Sequence, residues 1–465
     1  MPPMQNSSRL QNIRYDLRGP VQAVAKQMEA AGQRILKMNL GDPAPFGLEA
    51  PESIVVDMIH HLRGAQGYSD SKGIFSARTA ISQYYQTRGL MQIGVEDIWI
   101  GNGVSELISM TLQAFLEPGD QVLIPSPDYP LWTASVMLSG GEAVHYACDE
   151  DNRWWPDMAD VEKKITDRTR AIVIINPNNP TGAVYPREIL EQFADLARRH
   201  NLVLFSDEIY EKIVYRGAEH IHTASVAGDL PVLTFSGLSK AYRMPGYRAG
   251  WVALTGKRAD TAGYRESLDL LASLRLCANV PAQHAIQTSL GGYQSINDLV
   301  KPGGRLAEQG DLACRLLNAI PGVSCVPASG AMYLFPKLER AMYPFDDDEQ
   351  FVLDLLEEQK ILVSQGSAFH WPEPDHFRFV ILPAEEDIRD AVNRIAEFLA
   401  GRRRPVAAAG TETGTETGTG TEPGTDAGDE TGPGTGAADA GDGAATNAGI
   451  ESRDGAEAGN SAPAA

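Results

Sequence analysis

The stretch Ser236-Gly237-Leu238-Ser239-Lys240-Ala241-Tyr242-Arg243-Met244-Pro245-Gly246-Tyr247-Arg248 places a lysine after an apolar segment and a run of small residues. Residues 232–235 before it read as a buried strand, and Arg248 follows Lys240 in the same loop. A lysine in this setting can condense with an aldehyde to form a Schiff base, and the arginine can hold a phosphate. A lysine after a strand is more often only a solvated charge, so the interpretation depends on the rest of the chain.

Two further motifs follow apolar segments. Asn176-Pro177-Asn178-Asn179-Pro180-Thr181-Gly182 comes after residues 171–175, and it predicts a strand that ends in a rigid turn carrying side-chain amides. Ser206-Asp207-Glu208-Ile209-Tyr210 comes after residues 202–205. Asp207 in this motif could have no other role than to cap a helix. Its spacing also suits a carboxylate beneath a pyridine nitrogen and a phenol beside the ring hydroxyl. Together with Lys240, the motifs predict a site for pyridoxal 5'-phosphate (PLP).

With these motifs the chain resembles the class I/II aminotransferases, which are PLP-dependent enzymes of fold type I, and especially the bacterial alanine (glutamate–pyruvate) transaminases. The resemblance runs from about residue 9 to about residue 402. Further motifs that carry it are Gly101-Asn102-Gly103-Val104-Ser105-Glu106, Pro127-Asp128-Tyr129-Pro130-Leu131-Trp132, Arg275-Leu276-Cys277-Ala278-Asn279-Val280-Pro281 and His376-Phe377-Arg378.

The alternation of apolar strands and amphipathic helices predicts an α/β fold with a largely parallel sheet covered by helices. Candidate strands are residues 98–100, 121–124, 171–175, 202–205, 232–235 and 249–254, and candidate helices include residues 105–115 and 187–200. The resemblance implies a large PLP-binding domain with a mostly parallel mixed sheet, and a smaller α+β domain. We expect an amino-terminal arm that is part of the small domain at residues 1–47, the large domain at 48–297 and the rest of the small domain at 298–402.

Residues 403–465 are predicted to be a disordered acidic tail. From residue 405 on, the chain has eleven acidic residues against one basic residue, Arg453, and no aromatic residue. Such a segment buries too little apolar surface to offset the ordering of its backbone, about 1–2 kcal/mol per residue. The simplest interpretation is a solubilising tail, with a specific docking segment as the alternative.

The amino-acid composition excludes several classes of binding partner and indicates where the protein works. The formal net charge of −21 argues against nucleic acid and against anionic membrane surfaces as partners. No apolar segment is long enough to span a bilayer, and the chain shows no signal peptide. The four cysteines are not spaced like the ligands of a metal site, so we expect no metal. We also expect their thiols to be reduced. We therefore expect a cytoplasmic protein.

The resemblance assigns the cofactor contacts. Lys240 is the catalytic amine, Asp207 the partner of the ring nitrogen, and Tyr210 and Asn179 the contacts of the ring oxygen. Tyr129 is expected to lie on the ring face. The phosphate is assigned to Gly103, Val104, Ser105, Ser239 and Arg248, with Ser236 as a second candidate hydroxyl. Tyr68 is expected to reach the phosphate of a neighbouring subunit, which implies a homodimer.

Substrate contacts are also implied. Arg378 corresponds to the arginine that grips the α-carboxylate by a two-point contact, with Asn179 and the backbone of Gly41 assisting. Tyr15 and Arg18 are hypothesised to cover the site, with Arg18 meeting the second carboxylate of glutamate.

The implied activity is the interconversion of L-alanine plus 2-oxoglutarate with pyruvate plus L-glutamate, in a ping-pong cycle through an internal aldimine of Lys240. The alternatives within the fold are a transaminase for larger apolar or aromatic amino acids and a PLP-dependent lyase. A more remote alternative is a ligand sensor without catalytic activity. The amino-donor preference and any partner of the tail are left open.

Overall fold

The structure, a computed structural model, describes Ser7, Leu10, Ile13 and residues 19–404. Tyr15, Arg18 and residues 405–465 of the predicted acidic tail lie outside the described residues. The described residues belong to one compact unit of the chain.

Helices and short strands alternate along this unit. The α-helices are α1 Pro20–Ala30, α2 Glu52–His61, α3 Phe75–Gln86, α4 Val104–Gln113, α5 Leu131–Leu138, α6 Met158–Lys163, α7 Arg187–His200, α8 Thr223–Val226, α9 Arg258–Leu274, α10 Val280–Gly291, α11 Ile296–Val300, α12 Arg305–Asn318, α13 Asp348–Gln359 and α14 Glu385–Ala400. The strands are β1 Leu36–Lys37, β2 Ile98–Gly101, β3 Gln121–Ser126, β4 Glu142–Asp149, β5 Trp155–Pro156, β6 Thr169–Ile175, β7 Val203–Asp207, β8 Val232–Gly237, β9 Gly250–Leu254, β10 Val323–Ser324, β11 Tyr333–Leu334, β12 Lys337–Leu338, β13 Ile361–Leu362, β14 Ser364–Gln365 and β15 Phe377–Val380.

The main sheet has eight strands in the order β2-β9-β8-β7-β6-β3-β4-β5. The pairs between β8, β7, β6, β3 and β4 are parallel. Strand β9 runs antiparallel to both of its neighbours, and β5 is antiparallel to β4. The expected mostly parallel mixed sheet is confirmed, and it contains all six strands predicted from apolar runs. Strand β4 was missed, since only two of its eight residues are buried and it forms no continuous apolar run.

The sequence patterns explain these elements. Strands β3 and β8 are buried over their whole length, which is why they read as continuous apolar runs. Helix α7 buries an apolar stripe at helical spacing, and its carboxyl end is closed by Asn201 in the left-handed conformation. The predicted helix at residues 187–200 coincides with α7.

The carboxyl-terminal third forms short strands and helices. Strands β11, β15 and β14 form an antiparallel sheet, and β10 pairs with β12. Strand β1 from the amino-terminal region pairs in parallel with β13. The proposed domain boundaries at residues 47 and 297 stay a prediction.

The topology positions a site at one edge of the main sheet. Strands β6, β7 and β8 are adjacent and parallel, so the loops that follow them leave the sheet at the same edge. These loops carry Asn179, Tyr210 and Lys240. Among the described residues, no helix has the length and apolar character needed to cross a membrane.

Candidate active site

A cavity of about 320 Å³ lies at this edge of the sheet. The predicted residues that line it are Gly41, Val104, Ser105, Tyr129, Asn179, Asp207, Tyr210, Ser239, Lys240, Arg248 and Arg378. The walls also include residues that sequence reasoning missed, among them Asn39, Pro245 and Tyr333. The structure therefore brings residues from distant parts of the chain into one site.

Lys240 stands in the loop after β8 and is half-buried. Its Nζ donates a 2.8 Å hydrogen bond to the carbonyl oxygen of Gly41 and lies 5.9 Å from the ring centre of Tyr210. The amine thus points into the cavity, where a carbonyl carbon could reach it.

Asp207 ends β7 and is buried. Its Oδ2 accepts a 3.1 Å hydrogen bond from the indole nitrogen of Trp132, and its Oδ1 accepts one from the backbone of Ile209. Burial raises the pKa of Asp207 to about 6, with a smaller contribution from the charge of Glu208. A cation against this carboxylate would favour its ionised form, so the pocket suits a protonated ring nitrogen. Trp132 belongs to the motif at residues 127–132, but the sequence gives no signal of its contact with Asp207.

The amino end of α4 and Arg248 form a cradle for an anion. Gly103, at φ 81°, precedes the helix, and a Cβ at this position would lie 2.3 Å from Nη2 of Arg248. Only glycine therefore lets the guanidinium lie against the start of the helix. Arg248 donates 2.8 and 3.1 Å hydrogen bonds to the carbonyls of Pro245 and Asn102. Free backbone N–H groups at a helix start together with a guanidinium fit a phosphate.

A second group of residues shapes this cradle. Both Glu106 carboxylate oxygens accept hydrogen bonds from Asn102, one from its backbone N–H and one from its side chain. Arg275 contacts Glu106 and donates a 2.7 Å hydrogen bond to the carbonyl of Ile100. Asn102, Glu106 and Arg275 belong to motifs of the sequence, but only the structure shows that they hold this loop.

The two candidate serines differ in position. Ser236 lies within β8, and its hydroxyl donates a 3.2 Å hydrogen bond to Glu211 outside the cavity. Ser239 lines the cavity, as Arg248 does. Gly237 lies so close to β9 that a Cβ would sit 2.8 Å from the carbonyl oxygen of Ala249. The geometry thus favours Ser239 over Ser236 for the anion.

Tyr129 lines the cavity and follows β3. The neighbouring Asp128 is fully buried, and its carboxylate accepts 2.7 Å hydrogen bonds from Thr133 and His370. Burial alone would raise the pKa of Asp128, but the contacts with His145 and His370 outweigh it and hold the pKa below its ordinary value. This ionised group anchors the loop that presents Tyr129.

Tyr210 and Tyr333 share a 2.7 Å hydrogen bond between their phenol oxygens. Burial would raise the pKa of Tyr333, but the nearby charges of Lys240 and Arg378 outweigh it and lower that pKa. Burial raises the pKa of Tyr210 well above its ordinary value. A Cβ at Gly41 would lie 2.0 Å from the Tyr333 hydroxyl, so a glycine is needed there. No sequence motif had singled out Tyr333.

Arg378 extends from β15 into the cavity. Its Nη1 donates a 3.1 Å hydrogen bond to Oδ1 of Asn179, and its Nη2 donates a 2.5 Å bond to the carbonyl of Asn39. The rings of Tyr333 and Phe369 lie 4.5 and 4.6 Å from the guanidinium carbon. Within the motif at residues 176–182, the Asn178 side chain accepts a hydrogen bond from the backbone of Thr181, and that of Asn176 accepts one from the backbone of Tyr185. Asn179 is the amide of this motif that lines the cavity.

Tyr68 was expected to reach a phosphate, but in the single chain it does not line the cavity and 82% of its surface is exposed. Tyr15 and Arg18 lie outside the described residues, so their hypothesised contacts remain a prediction.

Comparisons with known proteins agree with this geometry. A family model described as "Aminotransferase class I and II" matches residues 33–395. Glutamate-pyruvate aminotransferase AlaA from Escherichia coli (strain K12) is 57% identical over 401 residues, which is 86% of this chain and 99% of the relative. Alanine aminotransferase from Mycobacterium bovis is 59% identical over 399 residues, covering 86% of this chain and 93% of the relative. The crystal structure of an aminotransferase from Escherichia coli matches with a TM-score of 0.85 at 56% identity, covering 87% of this chain and 100% of that chain.

Proposed function

This chain belongs to the class I and II aminotransferases, and we propose that it interconverts L-alanine plus 2-oxoglutarate with pyruvate plus L-glutamate, with PLP as its cofactor. Relatives that are 57% and 59% identical over most of their length carry the names glutamate-pyruvate aminotransferase and alanine aminotransferase. The observation that carries the proposal for this chain is the meeting of Lys240, Asp207 and Arg378 in one cavity.

The residues of the cavity fit PLP. Asp207, whose ionisation is disfavoured by burial, suits the protonated ring nitrogen. The start of α4, Arg248 and Ser239 suit the phosphate, and Lys240 suits the aldehyde. When bound, PLP supplies an electron sink for the bond that breaks at the α-carbon of the amino acid.

The α-carboxylate of the substrate is assigned to Arg378 and Asn179. The guanidinium is held by the Asn39 carbonyl and by Asn179, and two aromatic rings flank it. These contacts orient the planar guanidinium for a two-point contact with the α-carboxylate. That contact would hold the α-carbon of the substrate near the Lys240 amine.

Proton transfer is assigned to Lys240. When its Nζ is free, Lys240 would remove the proton from the α-carbon of the amino acid and give a proton to the cofactor within the same half-reaction, and it would carry out the reverse transfer with the 2-oxo acid. The hydrogen-bonded pair Tyr210–Tyr333 lies beside this amine. General acid–base catalysis of this kind contributes about 10²–10⁴-fold to the rate.

Several finer assignments belong to the same proposal. Arg18 receives the second carboxylate of glutamate, and Tyr15 narrows the pocket for alanine. Tyr68 completes the phosphate site of a second subunit in a homodimer, which is consistent with its 82% exposure in the single chain. The enzyme works in the cytoplasm, with the domain division at residues 47 and 297 around the cavity.

The test uses the purified full chain loaded with PLP. Addition of L-alanine should bleach the visible absorbance of the bound cofactor and release pyruvate, and 2-oxoglutarate should restore the absorbance with formation of L-glutamate. Lys240→Ala should lose the activity, and Lys257→Ala, a change of an exposed lysine, should not. Faster turnover with valine or phenylalanine would favour the transaminase for larger amino acids, and cleavage of cystathionine would favour the lyase. A chain that takes up no PLP would contradict the proposal.

A further inference from the structure

A cluster of two carboxylates and two imidazoles lies outside the cavity of the active site. Glu208 and Glu211 follow β7, and His220 and His222 precede α8. One ligand atom from each of these four side chains lies within 4.8 Å of all the others. We propose that Glu208, Glu211, His220 and His222 form a binding site for one Zn²⁺ ion.

The Glu208 carboxylate is oriented for this role. Its Oε1 accepts hydrogen bonds from the Ser206 hydroxyl and from the backbone of Thr223, at 2.8 and 3.0 Å. Its Oε2 lies 2.5 Å from Nδ1 of His222 and 3.8 Å from Nε2 of His220. Neutral donors thus fix one oxygen and leave the other facing both imidazoles.

The Glu211 carboxylate is held in the same way, with neutral donors on one oxygen and an imidazole facing the other. Its Oε1 accepts hydrogen bonds from the Tyr84 hydroxyl and from Ser236, at 2.8 and 3.2 Å. Its Oε2 has no hydrogen-bond partner among the described residues, although only 8% of the residue is exposed. The nearest imidazole atom is Nε2 of His222, at 3.7 Å. A buried carboxylate oxygen without a donor is costly, and a metal ion would satisfy it.

The charge and the geometry of the four side chains favour Zn²⁺ over other divalent cations. Two carboxylates and two neutral imidazoles around a divalent cation give a centre with no net charge, which suits a buried position. Imidazole nitrogen is a poor ligand for Ca²⁺ and Mg²⁺, but it is common around Zn²⁺. In tetrahedral coordination with bonds of about 2.0–2.1 Å, neighbouring ligand atoms lie about 3.3 Å apart. The separations of 2.5 Å between Glu208 Oε2 and His222 Nδ1 and of 3.8 Å between Glu208 Oε2 and His220 Nε2 lie on either side of this value.

The cluster can be reached from outside. A groove of about 520 Å³, separate from the active-site cavity, is lined by Glu211, His220 and His222. Arg88, Arg187 and Lys212 line the same groove, and their positive charge opposes a cation. Arg88 lies over the Tyr84 ring and bonds to a backbone carbonyl, and Lys212 donates to Gln294, so both are held by other partners.

The proposed zinc site would be joined to the active site by the backbone between Asp207 and Glu208. Glu208 directly follows Asp207 in the sequence, and His220 lies in the loop that leads into α8. A metal held by Glu208 and His220 would tie the end of β7 to this loop. The expectation from the sequence was that the chain holds no metal, and this inference departs from it.

The experiment measures zinc in the full chain loaded with PLP. The protein is incubated with zinc sulfate and passed through a desalting column, and its zinc is counted by inductively coupled plasma mass spectrometry. We expect about one zinc per chain in the wild type and in His200→Ala, which changes an exposed histidine on α7. His220→Ala should lose most of the bound zinc.

Glu211→Gln keeps the shape of the side chain and removes its charge, so it tests the site without a cavity. It should lower the zinc affinity at least about tenfold, while its PLP absorbance and melting temperature stay close to those of the wild type. X-ray diffraction above and below the zinc edge should place the anomalous peak between the four side chains. A wild type that retains no zinc, or a peak at the cysteines instead, would overturn the proposal and leave a hydrogen-bonded ion pair of Glu208 and His222.

Discussion

The side-chain amine of Lys240 donates a 2.8 Å hydrogen bond to the backbone carbonyl of Gly41, although 199 positions separate the two residues in the sequence. Gly41 in turn lies against Tyr333, whose hydroxyl is bonded to Tyr210. The amino-terminal loop, the lysine and the tyrosine pair therefore form one wall of the active site.

Gly41→Ala tests this contact. A Cβ at position 41 would lie 2.0 Å from the Tyr333 hydroxyl, so the tyrosine must move, at a cost of about 1–3 kcal/mol. We expect a lower melting temperature and a lower kcat/KM with alanine. Tyr333→Phe removes the clashing oxygen, so the double variant should lose less than the sum of the two single changes. Gly64→Ala, where nothing lies within 4 Å of the added Cβ, is the control. Purely additive losses would show that Gly41 and Tyr333 do not interact in this way.

Lys240 should be the residue that carries PLP. Borohydride treatment of the loaded enzyme, followed by proteolysis and mass spectrometry, should find the pyridoxyl label on Lys240. Lys240→Ala should give no label at that peptide and no alanine turnover. A label on another lysine in the wild type would contradict the assignment of the site.

Asp207 should make the stability of the cofactor-free protein depend on pH. Its pKa of about 6 in the folded chain lies above the ordinary value of 3.8. Because the folded-state pKa is the higher one, the stability is greatest at low pH and falls as the pH rises through about 6, by about 3 kcal/mol. Asp207→Asn removes this titration. The melting temperature of the wild type should therefore drop relative to that of Asp207→Asn between pH 4 and pH 7. Asp195→Asn, a change of an exposed acid, should show no such difference.

Asp207 should also matter more for turnover than for cofactor retention. Asp207→Ala removes the charge that keeps the ring nitrogen protonated, but it leaves Lys240 and the anion cradle in place. We expect the variant to keep bound PLP through gel filtration and to lose most of its kcat. Equal losses of PLP content and of activity would show that Asp207 acts mainly as an anchor.

Arg378→Lys should impair alanine binding although it keeps the positive charge. A lysine cannot make the planar two-point contact, and a charge-assisted hydrogen bond is worth about 1.5–3 kcal/mol. We expect kcat/KM for alanine to fall about 10- to 100-fold, mostly through a higher KM. Arg389→Lys, on the exposed face of α14, is the matched control. An unchanged KM for alanine would place the α-carboxylate elsewhere.

A hybrid-dimer experiment tests the role of Tyr68. Mixing Lys240→Ala with Tyr68→Ala chains under subunit exchange should restore about one quarter of the wild-type activity, because each hybrid dimer then contains one intact site. Mixing Lys240→Ala with Arg248→Ala should restore nothing, since both residues belong to the same subunit's site. If Tyr68 acted within its own subunit, neither mixture would regain activity.

The sequence predicted the elements that follow local rules. The strands before Asn176, Asp207 and Lys240 were visible as apolar runs, and the helix at residues 187–200 as an amphipathic pattern. Because parallel strands end at one edge of a sheet, their motifs could be assigned to one site before any coordinates were known. The family resemblance supplied the roles of Arg248 and Arg378.

The sequence alone therefore determined the fold, the family and those site residues that belong to local motifs. The tertiary structure decided which atoms meet: Tyr333 against Gly41, Trp132 on Asp207, and Ser239 at the cavity where Ser236 is not. It also brought Glu211 to the two histidines. The physical reason is that a strand or a turn depends on neighbours along the chain, whereas a buried contact depends on how separate segments pack. Trp132 and Asp207 are 75 positions apart and Tyr210 and Tyr333 are 123 apart, so a single residue such as Tyr333 leaves no local signal.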